Sequence, residues 1–118
     1  MEKLLIVEDN KALAKALFAH ISKISKYVVV IAHSLEEAKK ATENETFLAA
    51  LLDLDLPDAP NGEVVDYILA LNIPSIILTA NFDEATKKVV LQKPIIDYVY
   101  KDKLKDVDYI FLIGWLFY

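Results

Sequence analysis

Five short apolar runs punctuate the chain: Leu4–Val7, Tyr27–Ala32, Phe47–Leu52, Ser75–Leu78 and Tyr98–Tyr100. Each has the length of a strand and little polar alternation, the pattern of parallel strands covered on both faces. The segments between them have helical spacing. Leu13, Leu17 and Ile21 share one face with Lys11 and Lys15 elsewhere, and Ser34 with Glu37 makes a capping box ahead of Ala38 and Ala41. A third segment runs from about Glu63 to Leu71 with Val64, Val65, Ile68 and Leu69. A fourth, from about Asp83 to Leu91, is closed by Lys93 and Pro94, and a fifth, at about 104–118, continues its stripe through Val107, Ile110 and Phe111. The spacing predicts an α/β domain of five βα units, a doubly wound parallel sheet with helices on both faces.

At 118 residues, 55% hydrophobic and 26% charged, the chain is large enough to bury an ordinary core as one domain spanning 1–118, without repeats or a linker. A net charge of −5 argues against nucleic acid as a direct partner, because binding a phosphate backbone needs a basic face. There is no cysteine, so neither a disulfide framework nor a thiolate metal site exists. The N-terminal apolar run ends at Glu8 and Asp9, which is not a signal peptide. A cytoplasmic location is expected.

The polar residues then fall at one edge. Glu8 and Asp9 follow the first strand, Asp53 ends the third, Thr79 the fourth and Lys101 the fifth, all at carboxyl ends, where open α/β sheets bind ligands. The third of these positions is the most acidic: "LLDLDLPD" (51 to 58) holds Asp53, Asp55 and Asp58. Glu8, Asp9 and Asp53 crowded together repel one another, which disfavours full ionisation unless a cation intervenes. A hard divalent ion with oxygen ligands answers that need.

In "LLIVEDN" (4 to 10), "LLDLDLPD" (51 to 58), "IILTA" (76 to 80) and "DYVYK" (97 to 101), each closing a predicted strand, the chain resembles the receiver domain of bacterial two-component response regulators over about residues 3 to 108. The resemblance implies a flavodoxin-like (βα)5 sheet of strand order 2-1-3-4-5. It makes Asp53 the phosphoacceptor, a carboxylate nucleophile taking a phosphoryl group from a histidine kinase or histidine phosphotransfer protein. It assigns Mg²⁺ (or Mn²⁺) to Asp9 and Asp53 directly, to Glu8 through water and to the backbone carbonyl of Asp55. Lys101 would neutralise the transferred charge and the Thr79 hydroxyl would hydrogen-bond a phosphoryl oxygen. Thr79 and Tyr98 would form the switch, passing phosphorylation to the surface of the fourth helix, fifth strand and fifth helix, where an effector or a second copy docks. The domain would catalyse its own phosphorylation and dephosphorylation, with no separate substrate. For Asp58 the expectation is plain solvation, and for His20 and His33 a surface or satisfied side chain.

Each residue alone has a plainer reading: Glu8–Asp9 as acids at a helix N-terminus, Thr79 as a strand-end hydroxyl, Lys101 as a solvated charge, Tyr98 as packing. It is their joint order that carries the chemistry. The chain also departs from the family. Gly62 lies nine residues after Asp53 where eight is usual, and Asp102 stands where proline commonly follows the lysine. "YIFLIGWLFY" (109 to 118) has no charge and no polar face, which marks a contact surface or a continuation that covered it. As a helix it spans about 15 Å, half a bilayer, and is no membrane span within this chain.

Two other function classes share parts of this pattern. A pseudo-receiver, an interaction or dimerisation module that never turns over phosphate, shares this core but often lacks one of the acids, the hydroxyl or the lysine. A nucleotide- or flavin-binding enzyme would need a phosphate loop after the first strand, and the only glycines, Gly62 and Gly114, lie far from it.

Overall fold

The computed structural model describes residues 2–80 and 83–102. The helix expected at about 104–118, with its apolar Tyr109–Tyr118 segment, lies outside the described residues. In chain order the elements are β1 (Lys3–Val7), α1 (Lys11–Ile24), β2 (Val28–Ala32), α2 (Leu35–Asn44), β3 (Ala49–Asp53), α3 (Glu63–Ala70), β4 (Ser75–Thr79), α4 (Glu84–Leu91) and β5 (Asp97–Tyr100). All strands are parallel and the sheet order is β2-β1-β3-β4-β5. The order in which strands are added reverses between β1 and β3, the switch point of the sheet, which the acidic residues flank.

Strand alternation sorts the core into two layers. Leu5, Val7, Ala50, Leu52 and Ile77 face α2, α3 and α4, meeting Ala38, Val64, Val65, Ile68 and Val90. Leu4, Ile6, Ala49, Leu51, Ile76 and Leu78 face the other way and pack on Leu17 and Ile21 of α1. Successive side chains in one strand thus serve opposite faces, and both must be apolar because both are covered. This is why the strands read as continuous apolar runs.

The helix starts follow local chemistry. Asn10 caps α1 by accepting from the Leu13 amide (3.1 Å), Ser34 caps α2 through the Glu37 amide (3.1 Å), and Asp83 caps α4 through the Ala85 and Thr86 amides. Element ends differ slightly from the apolar runs. Tyr27 and Phe47 precede their strands: Phe47 is buried yet unpaired in the sheet, since an apolar run registers burial rather than ladder hydrogen bonds. Asp53 and Thr79 are the last paired residues of β3 and β4, so the polar rim begins inside the sheet.

One expectation fails here. Asp58 is not simply solvated: its Oδ1 accepts from the Leu35 amide and its Oδ2 from the Glu36 amide, both at 2.9 Å. These are the first two amides of α2, which have no partner inside the helix and attract a carboxylate from outside it. They hold the Asp58 carboxyl below its ordinary value.

Candidate functional site

The site is built where β1, β3, β4 and β5 end. Glu8 leaves β1 fully buried, and its backbone is fixed from β2: its amide donates to the Ala32 carbonyl (2.9 Å) and its carbonyl is 2.9 Å from His33 Nδ1. His33 is thus satisfied, and it props the acid. The Asn10 amide donates to Glu8 Oε2 (3.1 Å), so the residue that starts α1 also orients the first acid. Asp9 is exposed at the mouth. Asp53 is 1% exposed, and the Asp55 amide donates to its Oδ1 (3.0 Å).

Carboxylate oxygens of Glu8, Asp9 and Asp53, one from each, lie within 4.8 Å of one another. Lys101, just past β5, sets its ammonium 2.8 Å from Glu8 Oε1, 3.1 Å from Oε2 and 3.2 Å from Asp53 Oδ2. Apart from this ion pairing, Glu8 Oε1 and Asp53 Oδ2 are buried with no well-aligned hydrogen bond among the described residues. Each carboxylate oxygen has acceptor capacity beyond its contact with Lys101, which suits a cation ligand.

The electrostatics follow from the crowding. Burial, and then the neighbouring Asp9 and Glu8, push the Asp53 carboxyl up to about 7, against the Asp55 amide, which favours the anion. Asp9 moves the other way, lowered chiefly by its hydrogen bond with Asp53. Burial disfavours the Lys101 cation, but Glu8 and Asp53 outweigh it and raise its pKa overall. One ammonium facing three carboxylates leaves net negative charge, and the all-oxygen donor set fits a hard divalent cation.

Thr79 ends β4 fully buried, between the ends of β3 and β5. The Tyr98 ring, on β5, is half-buried and its hydroxyl is enclosed. Burial raises the Tyr98 pKa, with Tyr100 adding to the effect and Thr79 opposing it. The Tyr98 and Tyr100 rings meet edge to face at 5.7 Å, and Lys87 of α4 lies 5.9 Å and 5.2 Å from their respective centroids.

The structure therefore brings Glu8, Asp9, Asp53 and Lys101 together, with Asp55 bonded to Asp53 and Tyr98 beside Thr79. It adds residues that the sequence reading passed over. Asn10 carried a signal, being an N-cap residue ahead of an amphipathic run. Lys87 carried none, and neither did the partners of Asp58, which was expected to be solvated, since they lie 23 and 22 residues away.

The description "Response regulator receiver domain" matches residues 4–108. No curated protein is detectably similar in sequence. Among solved structures, a two-component system response regulator/GGDEF domain protein is 33% identical with a TM-score of 0.81, covering 97% of this chain and 45% of that one. The chain thus spans less than half the length of that protein. A CheY-like receiver domain protein from Methanospirillum hungatei JF-1 is 26% identical, TM-score 0.81, with 97% and 89% covered. A LuxR-family DNA-binding response regulator from Staphylococcus aureus, 23% identical with a TM-score of 0.78 over 97% of this chain and 99% of that one, shares the fold. With the family matched over nearly its whole length, and its acids and lysine gathered at the carboxyl edge of a 2-1-3-4-5 sheet, the chain belongs to the response regulator receiver domain family.

Proposed function

We propose that the chain is a phosphoryl-accepting signalling domain whose nucleophile is Asp53, supplied by a histidine kinase or histidine phosphotransfer protein. The observation that carries this is the Lys101 ammonium lying between buried Glu8 and Asp53 beside an acidic trio. Asp9 and Asp53 would hold Mg²⁺ (or Mn²⁺) directly, Glu8 through water and Asp55 through its carbonyl; the ion's chemistry is to neutralise charge on the transferring phosphoryl oxygens.

The residues themselves do the rest. Asp53 attacks as an anion; burial and the neighbouring acids raise its pKa to about 7, and positive charge at the site favours the ionised form. Lys101 supplies part of that charge from 3.2 Å away. A carboxylate oxygen then bonds to phosphorus while the bond to the donor nitrogen breaks and its electron pair stays with the imidazole. The Thr79 hydroxyl, at the end of the neighbouring strand, donates to a phosphoryl oxygen of the product. Its displacement towards the phosphate leaves room for Tyr98, and the surface of α4 and β5 changes shape for an effector. No helix among the described residues is long and apolar enough to cross a membrane, in keeping with a domain met by its kinase in the cytoplasm.

The test is to incubate the purified chain with a small phosphodonor, with and without Mg²⁺, and weigh it intact beside Asp53→Asn. One phosphoryl group added only with metal, and lost in the variant, is the expected result. A folded, Mg²⁺-binding chain that takes up none would be a pseudo-receiver, an interaction module instead.

A further inference from the structure

The loop from β3 to α3 is held by more than its own packing. Leu54, Leu56 and Ala59 are buried, and the Ala59 amide donates to the Leu56 carbonyl (3.1 Å), which closes a tight turn with Pro57 and Asp58 at its tip. From that tip the Asp58 carboxylate crosses to α2 and takes the Leu35 and Glu36 amides, one on each oxygen, at 2.9 Å. The next amide, Glu37, already belongs to Ser34 Oγ.

This contact completes a circuit around the acidic pocket. On one side, Ala32 and His33 hold the Glu8 backbone, and α2 begins two residues after His33. On the other, the Asp55 amide holds Asp53 Oδ1, and Asp58 follows three residues later. Asp58 ties the second side to the first. We infer that Asp58 is a positioning residue, which fixes the Asp55 main chain, and through it Asp53, against the Glu8–Asp9 side of the pocket at the separation a divalent cation needs. The inference rests on the cation site proposed above. Asp58 itself touches neither the ion nor the phosphoryl group, so it acts through the loop, and cation affinity reads its action directly.

The test is calorimetric titration of the whole chain with MgCl₂, alongside metal-free thermal unfolding. Asp58→Ala should weaken Mg²⁺ binding about tenfold, the size of effect seen when a supporting residue behind a metal ligand is lost. Glu36→Pro deletes one of the two donors, an amide with no acceptor inside the helix, and should weaken binding severalfold. The Glu36–Lys40 ion pair that it also removes is exposed and contributes little. The double variant should bind no more weakly than Asp58→Ala alone, because both changes break one link. Asp58→Asn, which keeps one acceptor oxygen, should fall between, and with Glu36→Pro it decides the matter if Asp58→Ala does not fold. Lower melting temperatures with unchanged Mg²⁺ affinity would make Asp58 a helix cap only and overturn the inference, as would strictly additive effects. A wild-type chain that binds no Mg²⁺ would overturn the cation reading and the inference with it, whereas a binding wild type with unaffected variants overturns the inference alone.

Discussion

The Lys101 ammonium reaches past the end of β4 to lie 3.2 Å from Asp53 Oδ2, joining the ends of two strands that are not neighbours in the sheet. It also meets Glu8 at 2.8 Å, so one cation compensates two buried acids. Lys101→Gln leaves both without it. The expected cost in metal-free buffer at pH 8 is about 3 kcal/mol, the usual penalty for breaking a buried pair from one side. At pH 5, where Asp53 takes up a proton, the cost should shrink. Urea unfolding at the two pH values checks this, and an equal loss at both would show that Lys101 acts through packing.

Asp53 makes stability depend on pH in a definite direction. Its carboxyl is raised from 3.8 to about 7, so between those values the folded chain binds more protons than the unfolded one. The stability this group contributes is complete below about pH 4 and is lost as pH rises through 7. Asp9, lowered in the fold, acts oppositely, its contribution fading only as pH falls below its ordinary range. Metal-free protein should therefore lose on the order of 2–4 kcal/mol between pH 5 and pH 8. Millimolar Mg²⁺ should restore most of this at pH 8 and little at pH 5, and Asp53→Asn should flatten the slope. Thermal melts across this range, with metal and with chelator, measure it; a flat wild-type profile would mean that the acids are not coupled.

The alternation of strands and helices was legible because both faces of the sheet are covered, so that neighbours such as Leu4 and Leu5 are both buried though they serve opposite layers. The rim was legible for a related reason: a charged or hydroxyl residue directly after such a run must stand at a carboxyl edge, as Glu8, Asp53, Thr79 and Lys101 do. What stayed hidden has no periodicity. The carboxylate of Asp58 bonds to Glu36, 22 residues back, and a loop aspartate with that partner reads the same as a solvated one. His33 supports a carbonyl 25 residues away. Lys87 lies on the helix with the weaker apolar stripe, where a lysine reads as a solvated charge, yet it covers two aromatic rings.

Gly62 precedes α3 at φ 75°, and a Cβ there would stand 3.0 Å from Leu54 Cδ2. Both the left-handed backbone and the close approach require glycine. Gly62→Ala should lower stability by about 1–2 kcal/mol, and it should slow Asp53 labelling as well, since Leu54 directly follows Asp53, the proposed nucleophile. Chemical denaturation and labelling rates together check this. Labelling at the wild-type rate in the folded variant would show that the loop absorbs the added methyl group without moving Asp53.

Lys87 holds its ammonium 5.2 Å from the Tyr100 ring centroid and 5.9 Å from that of Tyr98, so a single charge on α4 spans the aromatic pair of β5. The rings themselves meet edge to face. The Tyr98 hydroxyl is enclosed beside Thr79, and these ring contacts help to hold its ring in that position. Lys87→Gln removes the cation and should cost about 1 kcal/mol, and Lys87→Arg, which keeps a cation able to stack, should cost less. The Tyr98 ring should also change environment in the glutamine variant before any phosphodonor is added, because the side chain has lost one of the contacts that hold it beside Thr79. Fluorotyrosine NMR, with the Tyr98 signal assigned from Tyr98→Phe, reads this directly. Unshifted Tyr98 signals together with unchanged stability in Lys87→Gln would show that the lysine does not hold the ring.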